Sequence, residues 1–157
     1  EAITEETGLP SIIALEASIE ALKSVGARRL SLAGPYGDLL LKERLKPLLE
    51  SEGFEVVSAE GEPEMKQRTR AVVIGNQDPE VILSFVASNV AKEADTVFLP
   101  GTAWRAVEVV EELEKRLGKT VITVNQATFW KSLRTIGVTE PIKGFGKLLA
   151  SSQIGAG

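Results

Sequence analysis

The stretch "TVFLPGTAWRAVEVVEELEKRLGKTVITVN" (residues 96–125) holds two short apolar runs separated by one helical pattern. "TVFLPG" (96–101) and "TVITVN" (120–125) are rich in β-branched residues and bounded by turn residues, which is how strands buried on both faces read. Between them Trp104, Val107, Val110, Leu113 and Leu117 recur at helical spacing, and Gly118 closes the helix. A strand, a crossover helix and a second strand predict parallel pairing, because the helix returns the chain to the same end of the sheet. Upstream, "RRLSLAG" (28–34) and "FEVVSA" (54–59) read as two further strands of the same kind. The expected fold is α/β: a flavodoxin-like or Rossmann-like three-layer lobe with a four-stranded parallel sheet in the order 2-1-3-4.

Other helices follow from the same periodicity. Ile12, Leu15, Ile19 and Leu22 mark one before the first strand, ended by Gly26. Residues 37–52 form another, and Pro47 in its interior predicts a kink or break. A third opens at Asp78-Pro79-Glu80, with Asp78 as N-cap, and runs to about Ala94. A last one spans about Ala127 to Thr135 and ends at Gly137. Residues 60–77 are too long for an ordinary connection, which predicts a lid or a short extra element, with "AVVI" (71–74) as a brief strand. The opening "EAITEETGLP" reads as the last turns of a helix closed by Gly8, so the chain reads as starting in mid-element. The expected division is 1–10 as the remnant of a preceding element, 11–139 as the lobe and 140–157 as a C-terminal segment. The Gly-rich end is expected to be disordered.

Composition narrows the chemistry. The 157 residues are 43% hydrophobic and 25% charged, with a formal net charge of −4. The acidic balance and scattered basic residues argue against nucleic acid as a partner. No apolar run approaches the roughly 20 residues that span a bilayer, so no membrane partner is expected. No signal peptide is visible, which points to the cytoplasm. The chain has no cysteine and no histidine. That removes thiol nucleophiles, thiolate metal sites and the commonest general base, leaving Asp, Glu, Lys and the single Tyr36 for proton transfer. The acidic and basic residues at Glu108, Glu111, Glu112, Glu114, Lys115 and Arg116 read as a solvated helix face.

In an open α/β sheet the ligand crevice lies outside the carboxyl ends of the strands, where the strand order reverses. Three loops meet there in the expected topology: "GPYGD" (34–38), "PGTAW" (100–104) and "NQATFW" (125–130). "GPYGD" reads either as a backbone cradle for an anion or as a plain turn in which Tyr36 packs its ring. "PGTAW" offers the amides of Gly101 and Thr102 to a carboxylate or developing oxyanion, with Arg105 one turn on. Alternatively, Gly101 permits a tight turn and Thr102 caps a helix. Asn125 reads as a strand-end ligand or a turn residue, with Thr128 at the following helix start. Trp104, Phe129 and Trp130 line a pocket or fill the core.

Together, residues 7–58, 96–138 and "GFGKLL" (144–149) resemble the maleate isomerase and arylmalonate decarboxylase branch of the Asp/Glu racemase superfamily. The most specific pieces are "TGLP", the strand followed by the Tyr36 loop, "NQATFW" and the "GFGKLL" tail. The resemblance implies a site without cofactor or metal between two similar lobes, acting on a small carboxylate substrate through an enediolate-type intermediate. It also implies that Tyr36 and the Thr102 amide bind carboxylate, that Gly101 occupies the position of a family cysteine, and that Asn125 begins the segment closing the site. Gly101 has no thiol, so the alternative is a catalytically inactive carboxylate-binding lobe. A third reading, Tyr36 as acid/base, needs a partner such as Asp38. The first lobe of the family would precede Glu1. Without it, residues from about 140 onward are expected to pack poorly or borrow a partner, and a homo-oligomer is expected.

Overall fold

The computed structural model describes residues 2–65 and 71–151. Four strands, β1 (Arg29–Gly34), β2 (Glu55–Gly61), β3 (Thr96–Leu99) and β4 (Thr120–Thr123), form one sheet in the order β2-β1-β3-β4. All three pairings are parallel, as the strand–helix–strand pattern requires. Side-chain alternation divides the core. Leu30, Leu32, Phe98 and Ile122 point to one face, while Ala33, Val97, Leu99 and Val121 point to the other. The first face is covered by α2 (Ala14–Ser24) and α8 (Val124–Thr135), the second by α6 (Pro79–Asn89) and α7 (Val110–Leu117). A parallel sheet with both faces buried explains why the strands read as continuous apolar runs.

Gly8 follows α1 (Ala2–Thr7) with a left-handed φ of 68°, its N–H donating to Thr4 O (2.9 Å). The disruption expected at Pro47 takes a particular form. The chain runs from α3 (Asp38–Leu40) through a π-helical turn (Leu41–Leu45) into α4 (Lys46–Ser51). The widened turn comes just before Pro47, and the backbone stays helical through Leu40, Leu45 and Lys46, so the π turn absorbs the missing proline N–H without breaking the helix. Several boundaries differ from expectation. Residues 71–74 are not a strand but belong to α5 (Ala71–Gly75), because a short run without a strand partner satisfies its backbone locally as a helix. Helix α6 begins with Asp78 accepting from Glu80 N–H (2.9 Å), but stops at Asn89 rather than Ala94. Trp104 precedes its helix, which opens as a 3-10 turn (Arg105–Val109) before α7.

The C-terminal segment departs most from expectation. Helix α9 (Gly146–Ala150) does not pack poorly, since Leu148 and Leu149 are buried in the core. Nor is Glu114 part of a solvated face. Its Oε1 accepts Val121 N–H (3.0 Å) and its Oε2 accepts Lys147 N–H (2.9 Å), joining α7 to β4 and the start of α9. Gly146 is required beside it: at φ 76°, an added Cβ would lie 2.5 Å from Val110 Cγ1. Residues 152–157, expected to be disordered, lie outside the described residues.

Two half-buried carboxylates impose opposite pH dependences. Burial pushes the Glu114 carboxyl above its ordinary value of 4.5 despite its two N–H partners. The folded state therefore holds this proton more tightly than the unfolded chain. Stability contributed by Glu114 is greatest below the ordinary value and falls as pH rises through the folded value. Burial also pushes Asp95 upward, but the N–H groups of Arg29 and Arg28, the Thr96 hydroxyl and the Arg29 charge outweigh it. They hold Asp95 below its ordinary value of 3.8. Its contribution is present above that value and is lost as pH falls through the folded one. Urea titrations across pH are expected to show Glu114→Gln flattening the decline above pH 4.5 and Asp95→Asn flattening the acid limb.

Candidate functional site

The chain leaves β1 for β2 on one side and later returns to place β3 and β4 on the other. The order therefore reverses between β1 and β3. The loops after these strands touch. A Cβ on Gly34 would lie 3.0 Å from Pro100 Cγ, and one on Gly101 would lie 3.1 Å from Pro35 Cγ and 3.5 Å from Trp104 Cβ. Glycine at both positions allows the two backbones to meet. Gly101 has φ 128°, a region that L side chains rarely adopt.

Tyr36 follows the contact, half-buried and packed against both halves of the core. Burial raises its phenol pKa further above neutrality, so the hydroxyl keeps its proton at neutral pH. It has no hydrogen-bond partner among the described residues. Neither do the N–H groups of Tyr36, Gly37, Gly101 and Thr102. Asp38 is not drawn to Tyr36; it is exposed and pairs with Lys42 (3.3 Å). Arg105 is likewise engaged, its guanidinium donating to both Glu108 carboxylate oxygens (2.7 and 2.9 Å).

Asn125 lies in the first turn of α8, not at the end of β4, and donates Nδ2–H to Thr102 O (3.0 Å). This brings the second and third loops together. Helix α8 starts three residues before the expected Ala127 because Thr123 caps it. Thr123 Oγ1 accepts Gln126 N–H (3.0 Å), while Gln126 Oε1 accepts Thr123 N–H (3.0 Å). The T-x-x-Q spacing at 123–126 was the signal for this start. Thr128, expected at the helix start, lies inside α8 with Oγ1 donating to Val124 O (2.8 Å). Behind the Gly101 turn, Trp104 N–H donates to Gly101 O (3.2 Å), and its indole N–H donates to Gln77 Oε1 (2.6 Å). Gln77, which the motif reading missed, braces the turn from the core.

Trp104 and Trp130 are core residues, whereas Phe129 is 51% exposed. Phe129 lines an apolar cavity of about 220 Å³ with Val107, Ile142, Phe145 and Leu149, bordered by Asn125 and Gln126. Among the described residues no group of three His, Cys, Asp or Glu side chains could hold a metal ion. Among them also, no helix is long and apolar enough to cross a membrane.

Fold and loop geometry define a parallel α/β lobe whose candidate site lies at the strand-order switch. The family model described as arylmalonate decarboxylase matches residues 1–149, and the chain belongs to that family. It is 28% identical over 157 residues to the arylmalonate decarboxylase of Bordetella bronchiseptica, covering 96% of this chain and 62% of that protein. It is 27% identical to the maleate isomerase of Pseudomonas putida, covering 91% and 56% respectively. The chain thus spans less than two thirds of these curated relatives. A crystal structure of arylmalonate decarboxylase superposes with a TM-score of 0.82 at 26% identity, covering 94% of this chain and 64% of that one. At 23% identity and TM-score 0.83, the fold is also shared with a Nocardia farcinica maleate cis-trans isomerase variant carrying a covalently bound succinylcysteine intermediate. There the coverage is 95% of this chain and 61% of that one.

Proposed function

We propose that this chain is the carboxylate-holding lobe of a cofactor-independent isomerase or decarboxylase acting on a small dicarboxylate. The observation that carries this reading is the contact between the Pro35–Tyr36 loop and the Gly101–Thr102 turn. It sets the loop that carries Tyr36 against the turn that carries the unpartnered N–H groups of Gly101 and Thr102, and this supports the reading. Loss of carbon dioxide from a malonate leaves charge delocalised into the remaining carboxylate as an enediolate. Addition to maleate followed by rotation also builds charge on a carboxylate. Either path is favoured by donors arranged before the charge develops. In this reading Tyr36 and the amides of Gly101 and Thr102 hold that group, while Asn125 acts through the Thr102 carbonyl. A proton-donating or nucleophilic group belongs to a further lobe, because Gly101 offers none.

A second reading, carboxylate binding without turnover, is favoured by Gly101 itself, which has no side chain and whose positive φ and close approach to Pro35 strain any that is added. Calorimetric titration with malonate, phenylmalonate and maleate tests what the two readings share. Saturable binding is expected, weakened about tenfold or more in Tyr36→Phe, as for a lost hydrogen bond to a charged group. Unmeasurable binding of all three would overturn both. Carbon dioxide release or loss of maleate separates the enzyme from the binding lobe.

A further inference from the structure

Gln126 is 2% exposed, and its side-chain amide reaches two elements. Its Oε1 accepts Thr123 N–H, completing the cap of α8, and its Nε2 donates to Phe145 O in the segment before α9. The preceding residue, Asn125, holds Thr102 O. A continuous path thus runs from the Phe145 backbone through Gln126 and the first turn of α8 to Asn125 and the Gly101–Thr102 turn.

Neither end of this path explains the amide alone. Glutamate completes the same type of helix cap as glutamine, so capping does not call for the Nε2 donor. Docking of α9 has other support, from buried Leu148 and Leu149 and from Glu114 on Lys147 N–H. The donor is needed at one point, to fix Phe145 relative to the first turn of α8. We propose that Gln126 is a positioning residue of the carboxylate site, transmitting the placement of the Phe145 backbone to Asn125 and so to the Thr102 turn. The carboxylate part of this assignment rests on the proposed function; the mechanical part does not.

Gln126→Glu separates coupling from capping. The ionised carboxylate still accepts from Thr123 N–H but faces Phe145 O without a proton. The protonated form restores an O–H donor there. No charged side chain lines the adjoining cavity to complicate this titration. Two readouts are compared with the unsubstituted chain at each pH: the Asn125 side-chain amide resonances and malonate affinity. Burial and the facing carbonyl favour the protonated form, so it is at the alkaline end of the titration, once the Gln126→Glu carboxyl ionises, that the Asn125 resonances are expected to shift and affinity to fall about tenfold, the loss of roughly one hydrogen bond. Both should return toward the unsubstituted values as the new carboxyl is protonated. Gln126→Met, which buries no charge but removes the cap acceptor along with the donor, should show a shift and a loss at every pH that exceed those of Thr123→Ala, which breaks the cap and keeps the Nε2 donor; that comparison decides the matter if the glutamate variant does not fold. Unchanged Asn125 resonances and affinity in the folded variants would overturn the proposal. If the unsubstituted chain binds no malonate, the functional reading fails, and the Asn125 resonances alone decide whether the coupling exists.

Discussion

Trp104→Ala is expected to destabilise the lobe by about 3–5 kcal/mol, the usual range for truncating a fully buried tryptophan. The side chain is 1% exposed and belongs to the core cluster that includes Ile74, Ile82, Val86 and Val109, with Phe85 edge-on at a 6.5 Å ring separation. Alanine leaves a cavity that surrounding helices and strand cannot close without moving α6 against the 3-10 turn. The indole N–H also fixes Gln77: an indole only donates, so the amide must present Oε1 to it. Gln77 Nε2 then has no hydrogen-bond partner. Once Trp104 is removed, both ends of a buried amide lack partners, adding to the cavity term. The Gly101 turn rests on the same residue, so carboxylate binding should weaken beyond detection. Urea unfolding gives the stability loss and titration with malonate gives the second effect. Trp104→Phe separates them: it retains most of the packing but removes the hydrogen bond, and should cost about 1–3 kcal/mol. A stability loss below about 1 kcal/mol for alanine would mean that the turn stands without the residue behind it.

Where one residue's neighbours are determined by periodicity, the fold was legible. Four short β-branched apolar runs bounded by turn residues placed the strands, and the helical patterns between them imposed parallel pairing and the crevice between β1 and β3. Features set by distant chain were hidden. Glu114 sits among exposed charges in sequence, and only the return of α9 brings Lys147 N–H to its carboxylate. Burial of Leu148 and Leu149 depends on the space left between α8 and β4, which local pattern does not report. In the candidate site, Gly101 and Tyr36 could be located from the turns that hold them. Gln77 could not, because its partner Trp104 is 27 positions away and a lone glutamine carries no pattern. The misplaced start of α8 was different: Thr123 and Gln126 had capping spacing, but the apolar run through Val124 favoured extending the strand.

Gly101→Cys is expected to destabilise the chain by about 2–4 kcal/mol rather than to install a working thiol. Two costs combine. The φ of 128° is open to glycine and strained for any L side chain. A Cβ there would also meet Pro35 Cγ at 3.1 Å and Cδ at 3.2 Å, closer than ordinary contact. Pro35 cannot yield by rotating a flexible chain end, since its ring is closed onto the backbone and the residue is buried. The turn must therefore rotate, or the Pro35–Tyr36 loop must withdraw. Withdrawal moves Tyr36 relative to the Gly101–Thr102 turn, so on the proposed function malonate binding should weaken together with stability. Gly101→Ala supplies the comparison: it introduces the same Cβ without sulfur and should account for most of both losses. Urea unfolding and malonate titration of the two variants test this directly. If Gly101→Cys is instead as stable as the unsubstituted chain, the Pro35 contact is yielding and the site has room for a side chain. Alkylation of the new thiol across pH would then report its reactivity, and the binding-only reading would lose the observation that favours it.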